Sequence, residues 1–270
     1  KAIKTSGDIN QNIKLSKIGG KNLFCKEIEE KLISNDIDIA VHSLKDMESV
    51  ENDKLTIGAY IKRNDFRDVI ISNKIKSIED LKNKIVIGSS SRRRELQLKK
   101  INQNIIVVNI RGNIDTRIQK MLDGMYDGLV MAAAGVKRLG LEEYITEYLD
   151  LEMMMTAPGQ AAIAVEVRSD DNELRLIAES LNDEETNMCV NAERSFLNRL
   201  GGGCHVPFAA YSNIIENGLL RIDALVSSLD GVSIVRKTNF GEKEKYMSIG
   251  LELAEMILSS GGEKIIKSLK

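Results

Sequence analysis

Along the first three-fifths of the chain, short apolar runs alternate with segments whose apolar residues recur at helical spacing. That alternation predicts βα units around a largely parallel sheet. Phe24, Ile28 and Leu32 share one face of a helix expected over 22–34. Strands are expected at IDIAV (37–41), LTIGAYI (55–61), KIVIG (84–88), IIVVNI (105–110), within YDGLVMAAAG (126–135) and at AAIAVEV (161–167). Helices are expected to open at RRRELQLKK, behind the N-cap candidates Ser89, Ser90 and Ser91, and to run over 114–122. RNDFRD (63–68) and TAPGQ (156–160) interrupt the pattern as crossover segments. From about 184 the texture changes to a helix over 186–200, a glycine stop, the strands GLLRIDALVSS and VSIVRKTNF, and a helix over 245–259, the pattern of an α+β module.

The polar residues gather where these strands end. IDIAV runs into His42, Ser43, Lys45 and Asp46; KIVIG runs into three serines and three arginines; IIVVNI runs into Arg111; LVMAAAG runs into Lys137 and Arg138. Open α/β sheets bind ligands beyond the carboxyl ends of their strands. A helix start with free N–H groups, serine hydroxyls and the adjacent cations Arg92, Arg93 and Arg94 suits an anion. Arg111 and Arg117 flank a second helix start and repeat that chemistry.

Composition narrows the choice of anion. Apolar residues make up 43% of the 270 and charged residues 29%, enough to bury cores, while the net charge is only −2, so the cations are a local device rather than a global field. Aromatic residues are only 4% and tryptophan is absent, which argues against a stacking platform for single-stranded nucleic acid. No apolar run is long enough to cross a bilayer, no signal-like start is present, and a metal site is not expected with two histidines and no CxxC spacing. A reducing, cytoplasmic setting is the natural expectation.

Each feature has a bland reading. An arginine run is most often solvated surface, and Asp46 at a strand end is more often a cap or an ion-pair partner. Repetition at successive strand ends tips the arginines towards function. Among the three cysteines, Cys25 and Cys189 fall in helical patterns and read as core, whereas Cys204 sits in GGGCHVP. The glycines leave room for a large group to approach its sulfur, and a thiolate is a strong protein nucleophile.

Taken together, KIGGKNLFCKEIEE, DIAVHSLKDM, RNDFRDVIIS, IGSSSRRRELQL, IRGNIDTR, YDGLVMAAAGVKRLGL, APGQAAIAVEVR and AERSFLNRLGGGCHVPFAAY resemble the porphobilinogen deaminase (hydroxymethylbilane synthase) family, in order, over most of residues 17–211. The resemblance implies an α/β fold of two type II periplasmic-binding-protein-like lobes with a central cleft, plus a C-terminal α+β domain. Domain 1 is expected over 1–62 and 161–182, domain 2 over 63–160, and a cofactor-carrying domain 3 over 183–270. The implied activity is a transferase that condenses four porphobilinogen molecules stepwise onto a dipyrromethane carried by Cys204 and releases hydroxymethylbilane for tetrapyrrole synthesis. Asp46 matches the catalytic aspartate, with Lys45, Arg93 and Arg94 beside it. Lys21, Ser43, Ser90, Ser91, Arg111, Gly112, Arg117, Arg138 and Gln160 match positions that bind the cofactor and its carboxylates. A monomer with no nucleic-acid or membrane partner is implied. The competing hypothesis is a non-catalytic two-lobed binding protein or sensor for a small polyanion, which explains the arginines but leaves Cys204 and Asp46 without a task.

The departures from the family pattern are specific. Its opening strand and TRxS-type segment have no counterpart here, and the expectation is that they exist in the full protein. Glu48 stands where proline is usual, Arg92 where an aliphatic residue is usual, and Ala161 where GQG is usual. Arg92 is expected to meet a carboxylate or to face solvent.

Overall fold

The computed structural model describes residues 3, 25–48, 52–201 and 207–268; Lys21 and Cys204 lie outside the described residues. In chain order the elements are α1 (Lys26–Ile33), β1 (Ala40–Ser43), β2 (Leu55–Ile61), β3 (Asp68–Ile71), β4 (Val86–Gly88), α2 (Arg92–Ile101), β5 (Ile106–Val108) and α3 (Ile114–Leu122). They continue with β6 (Gly128–Ala132), α4 (Ala133–Arg138), β7 (Ile145–Leu149), β8 (Ile163–Arg168), α5 (Asn172–Glu179) and α6 (Glu184–Arg199). The last group is β9 (Phe208–Ile214), β10 (Leu219–Ser227), β11 (Ile234–Glu242), α7 (Tyr246–Ile257) and α8 (Glu263–Lys267).

These strands form three sheets, ordered β1–β8–β2, β5–β4–β6–β3–β7 and β11–β10–β9. The α/β class read from the sequence holds, with two lobes and a C-terminal α+β unit, but the largely parallel sheets do not. Only β5, β4 and β6 run parallel; β3 is antiparallel to both its neighbours, and β8 is antiparallel to β1 and β2. The cause is connectivity. A parallel neighbour requires a helical crossover, whereas β3 and β8 arrive straight from the two segments that pass between sheets. β3, β7, β9, α4, α5 and α8 have no counterpart among the expected elements; β3 lies at the end of the expected crossover, and in the half-exposed β7 the adjacent Thr146 and Glu147 break the alternation of a strand.

The second sheet is packed on both faces, as its period-2 alternation requires. Val69 and Ile71 pack with Ile118, Met121, Leu129 and Met131 on one face, while Ile70 packs with Leu81, Leu98, Val130 and Leu149 on the other. The third sheet buries Leu220, Ile222, Ala224 and Val226 against Phe196 of α6 and Leu253 and Ile257 of α7. Asp183 caps α6 by accepting from Thr186 N, and Gly201, at φ +83°, ends it. α6 and α7 approach backbone to backbone at Gly250, where a Cβ would stand 2.2 Å from Ala192 O.

Both crossover segments are tied to the third sheet through one buried carboxylate. Glu193 of α6, 0% exposed, accepts from Arg63 Nη1 at 2.6 Å in the first crossover and from Gly159 N at 2.6 Å in the second. It also accepts from Ser212 N at 2.8 Å and Ser212 Oγ at 2.9 Å on β9. Arg63 Nε donates to Gln160 O at 2.9 Å, so the two crossovers are linked to each other. The Arg63 guanidinium lies over the Tyr211 ring, and Phe66 packs on the same ring with centroids 3.9 Å apart. Breaking a buried ion pair from one side leaves an uncompensated charge. Glu193→Ala is therefore expected to lower the unfolding free energy by about 3–5 kcal/mol in urea titrations, and an unchanged midpoint would contradict this account.

Candidate active site

The turn that carries Lys45 and Asp46 follows β1 directly and spans Leu44–Asp46. Leu44 is its anchor: the side chain is buried, and its N–H donates to Ala162 O at 3.1 Å. Gly159 lies against it at φ +73°, with so little room that a Cβ there would come within 2.9 Å of Leu44 Cγ. Two residues on, Ala161 adopts φ +70°, the left-handed region that costs a non-glycine residue about 1–2 kcal/mol. The second crossover thus accepts backbone strain at the point where it packs on the Asp46 turn. Beneath the turn, the Cys25 thiol donates to Asp46 O at 3.7 Å, and His42 Nε2 meets Glu166 Oε2 at 3.0 Å in a buried pair.

Facing this turn is the start of α2. Ser91 is its N-cap and accepts from Arg94 N at 3.4 Å. Ser90 Oγ donates to Ile110 O, joining the loop to the segment after β5. Both serines therefore have structural partners in addition to any ligand. Arg92 points to solvent and pairs with Glu95 at 2.7 Å, the second of the two outcomes expected for it. Arg93 and Arg94 turn inward and are buried around Asp68, the first residue of β3 and itself 0% exposed. Arg94 Nη2 and Nε donate to Asp68 Oδ1 at 2.8 and 3.1 Å, and Arg93 Nη1 forms an ion pair with Asp68 Oδ2 at 2.8 Å. Arg93 Nη1 also donates to Met155 O, and Arg94 Nη1 to Val130 O.

Electrostatics shows how close these groups come. Burial alone would raise the Asp68 pKa, yet Arg93 and Arg94 overcome it and hold the carboxyl below the usual carboxylate range. Lys45 is half-buried, and burial pulls its ammonium below the ordinary lysine value; Asp46 opposes that shift, while Arg94 and Arg93 reinforce it. Burial likewise lowers Arg117, which feels Arg94 and Arg111 as like charges and Asp46 as its counter-charge. Burial also lowers Arg111. Asp46, Lys45, Arg93, Arg94, Arg111 and Arg117 therefore form one electrostatic neighbourhood, contributed by three strand ends.

The remaining site candidates sit as follows. Gly112 turns at φ +116°, and its carbonyl accepts from Arg117 Nε at 2.7 Å, which holds that guanidinium beside the loop. Gln160 is fully buried; its Nε2 donates to Phe66 O at 2.7 Å and Asp68 Oδ1 at 3.0 Å, and its Oε1 has no hydrogen-bond partner among the described residues. Ser43 and Arg138 are exposed, and neither appears among the charges or hydrogen bonds of the cluster. Lys137 is engaged locally, donating to Asp65 at 2.6 Å over the Tyr148 ring. No group of three or more potential metal ligands occurs among the described residues, and no helix there is long and apolar enough to cross a membrane.

Sequence reasoning missed Asp68, Arg63 and Glu193. RNDFRD read as a charged crossover, yet its last residue opens an apolar strand. An acid at the head of DVII, bound for a packed sheet, was the available signal that a cation must meet it.

Comparison with known proteins gives a consistent result. Residues 1–176 match the family model described as porphobilinogen deaminase, dipyromethane cofactor binding domain, and residues 187–259 match porphobilinogen deaminase, C-terminal domain. The chain is similar to the porphobilinogen deaminase of Coxiella burnetii strain Dugway 5J108-111, at 43% identity over 98% of this chain and 86% of that one. It is 44% identical to that of Bacillus mycoides strain KBAB4, with the same coverage, and 44% identical to that of Syntrophomonas wolfei, over 98% and 87%. Among solved structures, the VFT2 domain of Bordetella pertussis BvgS aligns with a TM-score of 0.40 at 17% identity over 63% of this chain and 72% of that one, too slight a likeness to bear on the fold.

The described cysteines are poor nucleophiles. Burial, with nearby acids adding to it, pushes the thiols of Cys25 and Cys189 up to about 12. Iodoacetamide at pH 8 should therefore leave both unlabelled in the native protein, as read by peptide mass mapping; rapid labelling of either would contradict the burial described.

Proposed function

The chain belongs to the porphobilinogen deaminase family, and from that premise we propose how its residues perform the family's reaction. The protein is a transferase that condenses porphobilinogen stepwise onto a cysteine-bound dipyrromethane and releases hydroxymethylbilane for tetrapyrrole synthesis. Family membership disfavours the alternative of a non-catalytic polyanion sensor. We read the three sheets as three domains, with boundaries at 1–62 plus 161–182, 63–160 and 183–270, and the molecule as a cytoplasmic monomer that meets neither nucleic acid nor membrane.

One observation supports the assignment of roles: Lys45 and Arg117, from two strand ends, both feel Asp46 as a counter-charge, and both also feel Arg94. The residues fit a dipyrromethane. They offer several buried cations for its carboxylates and, in Gln160 Oε1, a buried acceptor in want of an N–H donor. With Cys25 and Cys189 buried and their thiols raised, the covalent tether falls to Cys204. When bound, the dipyrromethane supplies the electron-rich pyrrole carbon to which each new unit is joined.

The chain's own residues do the rest. Loss of ammonia from porphobilinogen leaves an electron-poor methylene-pyrroleninium, and the Asp46 carboxylate stabilises that cation near the pyrrole nitrogens and takes part in moving the proton. Lys45, Arg93, Arg94, Arg111 and Arg117 grip acetate and propionate groups, charge-assisted contacts worth about 1.5–3 kcal/mol each. Ser43, Ser90, Ser91, Gly112, Arg138, Gln160 and Lys21 complete the carboxylate-binding set. Half-burial of the cleft cations strengthens each contact, because water competes less for the charge. Each pyrrole carries two carboxylates, so the growing chain brings about a dozen negative charges, which explains the local cations on a nearly neutral protein.

Intact-mass measurement is expected to show an adduct of two pyrrole units on the purified protein and none on Cys204→Ala. Asp46→Ala is expected to abolish turnover of porphobilinogen while retaining the adduct. An unmodified wild-type mass, or unchanged turnover in Asp46→Ala, would overturn these assignments.

A further inference from the structure

Asp68 lies outside the catalytic assignments above, yet more of the site hangs from it than from any other described side chain. Its backbone is fixed on both sides, paired with Ala132 of β6 and Leu149 of β7 inside the second sheet. Its carboxylate then holds groups from two other segments. Arg93 and Arg94 come from the start of α2, and Gln160 comes from the second crossover. Three N–H donors converge on Oδ1, at 2.8, 3.0 and 3.1 Å, and Arg93 Nη1 lies 2.8 Å from Oδ2.

Stability alone does not account for this arrangement. Buried ion pairs are commonly replaceable by apolar residues at no loss, because desolvation offsets their attraction. Here the pair of cations also acts on Lys45 in the Asp46 turn, as Asp46 and Asp68 do with the opposite sign. Two arginines and one carboxylate leave the cluster a net charge of +1. Among the described residues no hydrogen bond engages Arg93 Nε or Nη2, so donors remain for an incoming carboxylate. The acceptor Gln160 Oε1 is likewise left without a partner while Asp68 and Phe66 hold its amide nitrogen.

We propose that Asp68 is a positioning residue for the reaction: its buried carboxylate locks Arg93, Arg94 and Gln160 in one orientation and removes one unit of charge from the cleft, so that the carboxylate-rich chain is held firmly enough to react and loosely enough to advance after each addition. The proposal rests on the porphobilinogen deaminase reading of the site. Removing the charge but keeping the shape, as in Asp68→Asn, preserves an acceptor for Arg94 and places an amide against Arg93. The cleft becomes more positive and less ordered. Binding of substrate then survives or tightens, while the step from one adduct to the next slows.

The test compares wild type with Asp68→Asn and Asp68→Glu, all as holoprotein. Thermal unfolding verifies the fold, steady-state assays give kcat and KM for porphobilinogen, and intact mass after brief exposure to limiting porphobilinogen gives the distribution of covalent adducts. The expected result for Asp68→Asn is a cooperative unfolding transition, a kcat at least tenfold lower, a KM equal to or below wild type, and adducts of one or two added pyrroles that persist where wild type has cleared them. Asp68→Glu, which restores the charge at a shifted position, should recover part of the kcat and part of the clearance. Should the Asn variant not fold, Asp68→Glu carries the test alone, with slowed clearance expected. Wild-type kinetics in the variant tested overturn the proposal, as does a fall in active fraction with unchanged KM and no persisting adducts, the mark of a merely structural residue. A wild-type protein that carries no adduct and consumes no porphobilinogen would instead sink the family reading beneath it.

Discussion

Two guanidiniums withdrawn from water around one carboxylate set the terms for the rest of this molecule. Each buried cation costs several kcal/mol unless its charge and N–H groups are met. The fold meets Arg93 and Arg94 with Asp68 and with the carbonyls of Met155 and Val130. Those partners come from β3, β6 and the residue just before the second crossover. The cations are therefore in place only when the second sheet and the crossover are assembled together. Cationic readiness for a polyanion and correct folding of the lobe become one requirement.

The same crossover links this cluster to the Asp46 turn and to the third sheet. Gly159 lies against Leu44, Gly159 N donates to Glu193, Gln160 reaches Asp68, and Met155 packs with Ala209 and Leu225. From Met155 to Gln160 the chain touches the turn that carries Asp46, the cluster of Asp68 and Arg93, and the third sheet. Ala161 tolerates a left-handed backbone there. Local strain is accepted where the chain must turn between packed surfaces.

Much of this was legible in the sequence. LTIGAYI and residues 114–122 form the expected elements residue for residue, because their apolar period is unambiguous and their neighbours are turn formers. The mutual influence of Lys45, Arg94, Arg111 and Arg117 follows the cations that the sequence places at successive strand ends. Partner identity was hidden. A run of arginines does not disclose that Arg92 faces solvent while its two successors turn inward, since that follows from helix phase and from an acid 25 residues upstream in Asp68. Strand direction was hidden too: β8 looks like any apolar strand, β3 was not expected as a strand at all, and only the pairing shows both antiparallel.

Cations sunk beside an acid in a cleft make a claim about the ligand's charge more than about its rings. The most direct measurement is kcat/KM for porphobilinogen beside its dimethyl ester, which keeps the pyrrole and aminomethyl groups and removes both negative charges. Loss of two charge-assisted contacts at about 1.5–3 kcal/mol each predicts a fall of at least about 100-fold for the ester. An ester processed within about threefold of the free acid would show that the arginines around Asp46 do not grip carboxylates, and the account would fail.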